Sequence, residues 1–145
     1  MLSSLLARRT GTSTPRQTGL RILLVDDSDA FLEAATPYLE SLAVVGAVEL
    51  ARSADEAIVF AAHYRPDVVL MDYEMPGSTG IDALRKIKAR SPELRIVIMT
   101  LHEPSILARK ALSAGADGLV PKDEFRDRVP EVLARLFGRG VPGCA

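Results

Sequence analysis

The stretch Ile-Leu-Leu-Val-Asp-Asp at residues 22–27 places two carboxylates at the end of an apolar run. The pattern returns at residues 68–72, where Val-Val-Leu-Met is followed by Asp72. Two further apolar runs end at Thr100 and Lys122. Short runs that are apolar throughout are typical of strands buried on both faces. Four such ends, each carrying a polar group, indicate one site assembled from four places.

Helical patterns alternate with these strands along the chain. Each connection is long enough for the crossover that parallel strands require. The alternation predicts an α/β fold, a (βα)5 doubly wound parallel sheet with helices on both faces and its functional crevice at the carboxyl ends of the strands. The predicted elements are strands at 22–25, 44–50, 67–72, 94–100 and 118–120, and helices at 28–42, 53–64, 80–90, 103–114 and 124–137.

Capping and breaking residues mark several of these helices. Ser53 and Glu56 have the spacing of a capping box, and Gly115 is placed to end the fourth helix. Pro104 falls in the first turn of that helix, where proline is tolerated. Pro37 lies inside the first predicted helix, and we expect it to kink or divide that helix.

Composition excludes several classes of protein. The chain has 145 residues and a net charge of −1, which predicts one domain and gives no global basic field for nucleic acid. The lone Cys144 allows no intramolecular disulfide, and no apolar run has the ~20 residues of a membrane helix. Residues 1–19 are predicted to be a disordered tail, with a transit peptide as the alternative; residues 20–138 form the domain and 139–145 a short tail. We expect a cytoplasmic protein without direct nucleic-acid or membrane contact.

The polar groups at the strand ends suit phosphoryl chemistry. Converging carboxylates repel one another, and a hard cation such as Mg2+ relieves that repulsion. His63 and His102 stand apart from each other and from the cysteine, so the chain does not offer a zinc site. A lysine and a threonine beside the cation would neutralise and bind a phosphoryl group. Because the sequence has no P-loop and no GxGxxG, the acceptor would be a carboxylate of the protein itself.

These residues resemble the response-regulator receiver domains of bacterial two-component signalling, the CheY-like superfamily. The resemblance covers residues 21–137 and rests on the order of its pieces as much as on each piece. It implies a flavodoxin-like fold with strand order 2-1-3-4-5. The pieces are Asp26-Asp27, Met71-Asp-Tyr-Glu-Met-Pro-Gly77, Thr100, and Gly115-Ala-Asp-Gly118 followed by Lys122.

The resemblance also implies roles for single residues. Asp72 would accept a phosphoryl group from a phosphohistidine and would itself bind Mg2+ or Mn2+. Asp27 would bind the metal directly, Asp26 mostly through water, and Glu74 through its backbone carbonyl. Lys122 would pair with the phosphoryl group. The protein would act as a phospho-acceptor, promoting only its own phosphorylation and dephosphorylation, and would not be an enzyme in the ordinary sense.

The implied switch begins at Thr100, which would move inward to bind the phosphoryl group. The surface of the fourth helix, fifth strand and fifth helix would then repack to control a partner. The implied partners are a sensor histidine kinase or a histidine phosphotransfer protein, an unknown downstream protein and, in a phosphorylation-linked homodimer, a second copy of the chain. The first helix around Phe31 would dock the kinase, although Phe31 taken alone is more typical of a core residue.

Three positions depart from the family pattern, and one of them is Asp123, which follows Lys122 where many members have proline. The family usually has Tyr or Phe as a second switch residue where Leu119 stands, so coupling through this position is in doubt. A small residue usually follows the threonine, whereas Leu101 is bulky, and we expect it to limit water access and to lengthen the phosphoryl lifetime. Glu74 and His102 are further candidates for setting that rate.

Three alternatives stay open on the sequence. Val-Pro-Lys-Asp at residues 120–123 resembles receivers joined to helix-turn-helix output domains, so the chain could be the receiver portion of a longer transcription regulator. It could also be an interaction module that does not use phosphorylation, for which Leu119 is the only argument. The third alternative is a Mg2+-dependent phosphatase with an aspartyl nucleophile. Such an enzyme would be expected to have a second aspartate two residues after the nucleophile, and Glu74 at that position argues against it.

Overall fold

Five parallel strands form one sheet in the order β2-β1-β3-β4-β5, as predicted. The structure is a computed structural model that describes residues 19–101 and 105–138. The observed strand bounds lie within one to two residues of the predicted ones. The strands are β1 (Leu20–Val25), β2 (Val45–Ala51), β3 (Val68–Asp72), β4 (Arg95–Thr100) and β5 (Gly118–Pro121).

Helices cover both faces of this sheet, and the hydrophobic core is accordingly in two layers. Residues that alternate along each strand point to opposite faces, so Ile22 and Leu24 enter one layer and Leu23 and Val25 the other. The first and last helices pack on one face and the three middle helices on the other. The helices are α1 (Asp29–Ser41), α2 (Ala54–Tyr64), α3 (Gly80–Arg90), α4 (Ser105–Ala114) and α5 (Phe125–Phe137).

Pro37 does not divide the first helix, so that part of the prediction is wrong. One helix runs from Asp29 to Ser41 with the proline inside it. The carbonyl that loses its partner belongs to Glu33, an exposed residue, and water can satisfy it there at small cost. The predicted bend at Pro37 stays a prediction.

A second interior proline, Pro130 in α5, has a partner for the carbonyl it leaves unpaired. The residue four positions earlier is Arg126, and the Tyr38 hydroxyl donates to its carbonyl oxygen at 2.6 Å. A side chain of α1 therefore replaces the hydrogen bond that Pro130 cannot make, and this links α1 to α5.

The predicted helix ends are mostly confirmed. Gly115 ends α4 with φ +110°, and the amides of Gly115 and Ala116 donate to Leu112 and Ala111, the pattern of a Schellman cap. Ser53 caps α2. The other half of the predicted capping box is wrong, because the Glu56 carboxylate accepts from the amide of Arg52, one residue before the cap.

A short 3-10 helix at Lys122–Glu124, which was not predicted as a separate element, precedes α5. Pro104 and the residues beyond the described ranges, among them most of the two predicted tails, lie outside the described residues. In the described part of the chain, no helix combines the length with the apolar character needed to cross a bilayer.

Candidate functional site

The register of the sheet brings the predicted site residues to one edge. β1 pairs with β3 so that Val25 lies beside Met71, and the residue that follows each of them is a carboxylate. β3 pairs with β4 so that Asp72 lies beside Met99, the residue before Thr100. Because all strands are parallel, their carboxyl ends form a single crevice, as expected for this architecture.

Three carboxylates meet in this crevice and form what we call the acidic cluster: Asp26, Asp27 and Asp72. One oxygen from each lies within 4.8 Å of the others. Asp26 is fully buried, Asp72 is 5% exposed, and Asp27 is exposed. The cluster thus has a buried floor and an open side through which a ligand can enter.

Asp26 is fixed at the floor by contacts on both of its oxygens. Its Oδ1 accepts from the amide of Ser28 at 2.9 Å, at the N-terminus of α1. Its Oδ2 lies 2.5 Å from the Nζ of Lys122. That short contact is an ion pair, and within the described residues Oδ2 has no hydrogen-bond partner. Asp26 therefore holds Lys122 directly, besides the water-mediated metal role predicted for it.

Lys122 extends from the end of β5 into the crevice. Its Nζ lies 2.5 Å from Asp26 and 3.6 Å from Asp72 Oδ2, and its side chain is only 9% exposed. The ring centroid of Phe31 is 4.4 Å from the same Nζ. The ammonium is therefore held among two carboxylates and an aromatic face, in position to meet a group bound to Asp72.

The pKa of Asp72 is raised from its ordinary 3.8 to about 6, chiefly by burial, next by the neighbouring charge of Asp26, and least by that of Asp27. The Lys122 ammonium and the amide of Glu74, which donates to Asp72 Oδ1 at 3.4 Å, act in the opposite direction. The lysine and the amide therefore do not offset the cost of burying this charge beside Asp26.

A divalent cation fits these residues. Carboxylate oxygens are the ligands that Mg2+ prefers, and two ligands of one Mg2+ at about 2.1 Å each are separated by about 4 Å at most. The oxygens of the acidic cluster lie within 4.8 Å of one another, so small side-chain movements would suffice. Asp26 Oδ2, which has no hydrogen-bond partner among the described residues, also keeps acceptor capacity for a ligand. The proposed ligand role of the Glu74 carbonyl stays a prediction.

Gly80, at the start of α3, is a residue whose role the sequence analysis missed. A Cβ built there would collide with the backbone carbonyl of Asp72. Its amide donates to the carbonyl of Tyr73 at 2.8 Å. Only glycine lets α3 approach this closely, so Gly80 fixes the backbone that presents Asp72. The available signal was a glycine at a predicted helix start eight residues after Asp72.

The remaining predicted residues surround the cluster at different depths. Thr100 is 1% exposed at the end of β4, and Leu119 is half-buried in β5. Leu101 is 64% exposed and Glu74 is exposed, both at the rim. His102 lies outside the described residues. The switch and rate-setting roles given to these residues stay predictions.

With this geometry established, comparison with known proteins decides the family. Residues 22–134 match the family model described as the response regulator receiver domain. The chain belongs to this family. Its members act in two-component signal transduction, and the predicted family and the predicted strand order are confirmed.

Similar proteins extend beyond the matched region to different extents. The response regulator GacA of Pseudomonas viridiflava is 36% identical over 118 residues, which are 81% of this chain and 55% of that protein. Protein-glutamate methylesterase/protein-glutamine glutaminase 3 of Pseudomonas syringae pv. syringae (strain B728a) is 38% identical over 81% of this chain and 31% of its own length.

A solved structure gives the same result for the fold. The two-component response regulator of the LuxR family from Aurantimonas sp. SI85-9A1 superposes with a TM-score of 0.77 at 36% identity, covering 84% of this chain and 88% of that one. The chain spans about half the length of the first curated relatives that it matches. The receiver fold is therefore shared, whereas the length outside the matched region differs between relatives.

Proposed function

We propose that this receiver accepts a phosphoryl group onto Asp72 from the phosphohistidine of a sensor histidine kinase or a histidine phosphotransfer protein. The reaction depends on Mg2+, for which Mn2+ can substitute. Phosphorylation changes the α4–β5–α5 surface and so controls a partner. The chain works in the cytoplasm, where its phosphoryl donor is available, and catalyses no reaction besides its own phosphorylation and dephosphorylation.

One observation supports this proposal most strongly. A nearly buried carboxylate, Asp72, shares its crevice with a second buried acid and with a lysine whose Nζ lies 3.6 Å from it. A purely structural ion pair needs one acid for one lysine. Here Asp26 already pairs with Lys122 at 2.5 Å, so Asp72 is left as the acid whose charge is only partly matched.

In the proposed step, one oxygen of the Asp72 carboxylate forms a new bond to phosphorus. The bond between phosphorus and the histidine nitrogen breaks and its electron pair stays on that nitrogen; because the other ring nitrogen of the phosphohistidine carries a proton, the imidazole leaves as a neutral ring. The product on the receiver is an acyl phosphate. Lys122 needs little movement to contact the new phosphoryl oxygens, because its ammonium already faces Asp72 Oδ2.

The acidic cluster would hold the cation through Asp27 and Asp72 directly and through Asp26 by way of water. When bound, the cation supplies charge neutralisation for the carboxylates and for the equatorial oxygens of the phosphoryl group. The cation and the phosphoryl donor would enter from the open side of the cluster, where Asp27 is exposed. Thr100 would bind one phosphoryl oxygen. Hydrolysis of the acyl phosphate by water would return free phosphate and the Asp72 carboxylate.

Incubation with phosphoramidate and Mg2+, followed by intact mass spectrometry, tests the acceptor. Phosphoramidate replaces the kinase, so the result does not depend on an unknown partner. We expect one phosphoryl adduct on the wild-type chain, none in EDTA, and none on the Asp72→Asn variant.

A matched control is Asp67→Asn, directly before β3 and at the opposite end of that strand from Asp72. The Asp67 carboxylate accepts from the amide of Arg21 at 2.8 Å. This variant should still acquire the adduct. The proposal is refuted if the wild-type chain stays unmodified or if Asp72→Asn is modified to the same extent. Gel filtration of the phosphorylated chain then tests for the proposed homodimer, which would elute earlier than the unmodified protein.

A second candidate is that this chain forms the receiver portion of a longer helix-turn-helix transcription regulator. Two observations favour it: the chain spans about half of its first curated relatives, and one similar solved structure belongs to the LuxR family. Sequencing the complete reading frame distinguishes the candidates, because a helix-turn-helix segment encoded after residue 145 would establish the longer form.

A further inference from the structure

Lys122 has an aromatic contact that the phosphoryl chemistry does not explain. Its Nζ lies 4.4 Å from the ring centroid of Phe31, a half-buried residue of α1. An ammonium within about 6 Å of an aromatic centroid is attracted by the negative face of the ring, and the attraction grows when the pair is shielded from water. Since the Lys122 side chain is only 9% exposed, this contact is of the shielded kind.

We propose that Phe31 is a positioning residue that holds the Lys122 ammonium over the acceptor carboxylate for phosphoryl transfer. The inference rests on the proposed function of Asp72 and adds to it a residue outside the strand ends. Phe31 touches neither the acidic cluster nor the phosphoryl group in this assignment; it acts through the lysine.

The ring of Phe31 is itself held by neighbouring aromatic side chains. Phe125, 6% exposed at the start of α5, meets it edge to face with centroids 5.4 Å apart and planes at 86°. Tyr38 meets Phe125 at 6.1 Å, and its hydroxyl is fixed on the carbonyl of Arg126. We call Phe31, Tyr38 and Phe125 the aromatic cluster. Aromatic pairs of this kind favour a defined orientation, so the face of Phe31 stays directed at Lys122.

Lys122 needs such a restraint because of the acids that follow it. Asp123 and Glu124 are the next two residues, both are exposed, and they line the same groove as Phe31 and Lys122. A lysine has a flexible four-carbon stem, and without a barrier its ammonium could turn toward these carboxylates and water. The Phe31 ring lines this groove next to the ammonium and so places an apolar surface against one side of it.

Phosphorylation kinetics with phosphoramidate and saturating Mg2+ test this role. In Phe31→Leu the side chain stays apolar but loses its π face. We expect the maximal phosphorylation rate to fall about threefold to thirtyfold, the range that the loss of a shielded cation–π contact supports, with an unchanged half-saturating phosphoramidate concentration. Phe31→Tyr keeps the π face and should restore the rate to within about twofold of wild type.

The matched control is Phe60→Leu, which removes an aromatic side chain of α2 that meets Tyr64 edge to face on the other face of the sheet. This variant should still be phosphorylated at the wild-type rate. Equal rate losses in Phe60→Leu and Phe31→Leu would show a merely structural role and overturn the inference, as would a wild-type rate in Phe31→Leu.

An NMR measurement on the unphosphorylated chain separates this inference from the proposed function. The ε-methylene protons of Lys122 should resonate upfield of those of the exposed Lys86 and Lys110, and the displacement should vanish in Phe31→Leu. If the displacement is seen but the wild-type chain accepts no phosphoryl group, the proposed function fails and the positioning role fails with it. If phosphorylation proceeds but no displacement exists, the inference alone is overturned.

Discussion

Replacing Asp72 by asparagine should make the metal-free protein more stable at neutral pH. Asparagine has nearly the same shape and can still accept from the amide of Glu74, which donates to Asp72 Oδ1 in the structure. The substitution removes one negative charge from a crevice in which Lys122 is the only cation that contacts the acidic cluster among the described residues. The lost charge should therefore matter more than the lost attraction to that lysine.

The size of the effect follows from the pKa of Asp72. A rise of the pKa from 3.8 to about 6 means that ionised Asp72 destabilises the folded state by at most about 3 kcal/mol. We expect about 1 to 2 kcal/mol, because relaxation of the site and water at its open side reduce this cost. Because the Asp72 carboxyl holds its proton more tightly in the folded state than in the unfolded chain, the free energy of unfolding of the wild type falls by this amount as pH rises from about 4 through 6. The advantage of Asp72→Asn should therefore be small at pH 4 and full above pH 7.

Chemical unfolding in EDTA at several pH values between 4 and 8, with wild type and Asp72→Asn side by side, provides the assay. Glu93→Gln, an exposed acid in the loop before β4, is the control and should show no pH-dependent difference. Saturating Mg2+ should stabilise the wild type more than the variant and reduce the gap. An Asp72→Asn variant that is less stable than wild type at pH 7, or equally displaced at pH 4 and pH 8, would refute the electrostatic argument.

Two further predictions concern other parts of the molecule. Leu101→Ala should hydrolyse its phosphoryl group a few times faster than wild type, because a smaller side chain after Thr100 admits water; an equal or slower autodephosphorylation rate would contradict this. At the amino end of the sheet, burial disfavours the charge of Asp117, but hydrogen bonds from Lys88 at 2.9 Å and from the amide of Ile96 at 2.8 Å outweigh it and hold the pKa of Asp117 below its usual range. This contribution to stability is present above about pH 4 and is lost as pH falls through the lowered pKa, so Asp117→Asn should cost about 1 to 2 kcal/mol at pH 7 and progressively less in acid, as measured by urea unfolding.

The strand ends could be predicted because two independent signals agree there. Apolar runs such as residues 22–25 cannot be placed except between two covered faces, and parallel strands bring their carboxyl ends to a common edge. The positions of Asp72 and Lys122 in one crevice therefore follow from pattern and topology together. The same reasoning also allowed a divided helix at Pro37, which the structure excludes; the carbonyl that loses its partner there belongs to the exposed Glu33.

Contacts between elements distant in sequence could not be predicted in this way. Phe31 and Lys122 are separated by most of the domain, and an amphipathic pattern shows only that Phe31 faces inward, not which group it meets. The closeness of Gly80 to the carbonyl of Asp72 depends on how α3 docks after its loop. These contacts depend on packing, which the spacing of apolar residues along one helix does not specify.

The partly matched charge that weakens the fold also suits Asp72 to the acceptor role that we propose for it. A carboxylate fully compensated by a lysine would be stable and a poor nucleophile, because its charge would be held by the ion pair. Asp72 shares Lys122 with Asp26. The ammonium lies 2.5 Å from an oxygen of Asp26 and 3.6 Å from an oxygen of Asp72. With a pKa of about 6, Asp72 is still about 90% ionised at pH 7. The crevice therefore keeps a reactive carboxylate available, and binding of a cation and a phosphoryl group to it relieves a repulsion that the folded chain already contains.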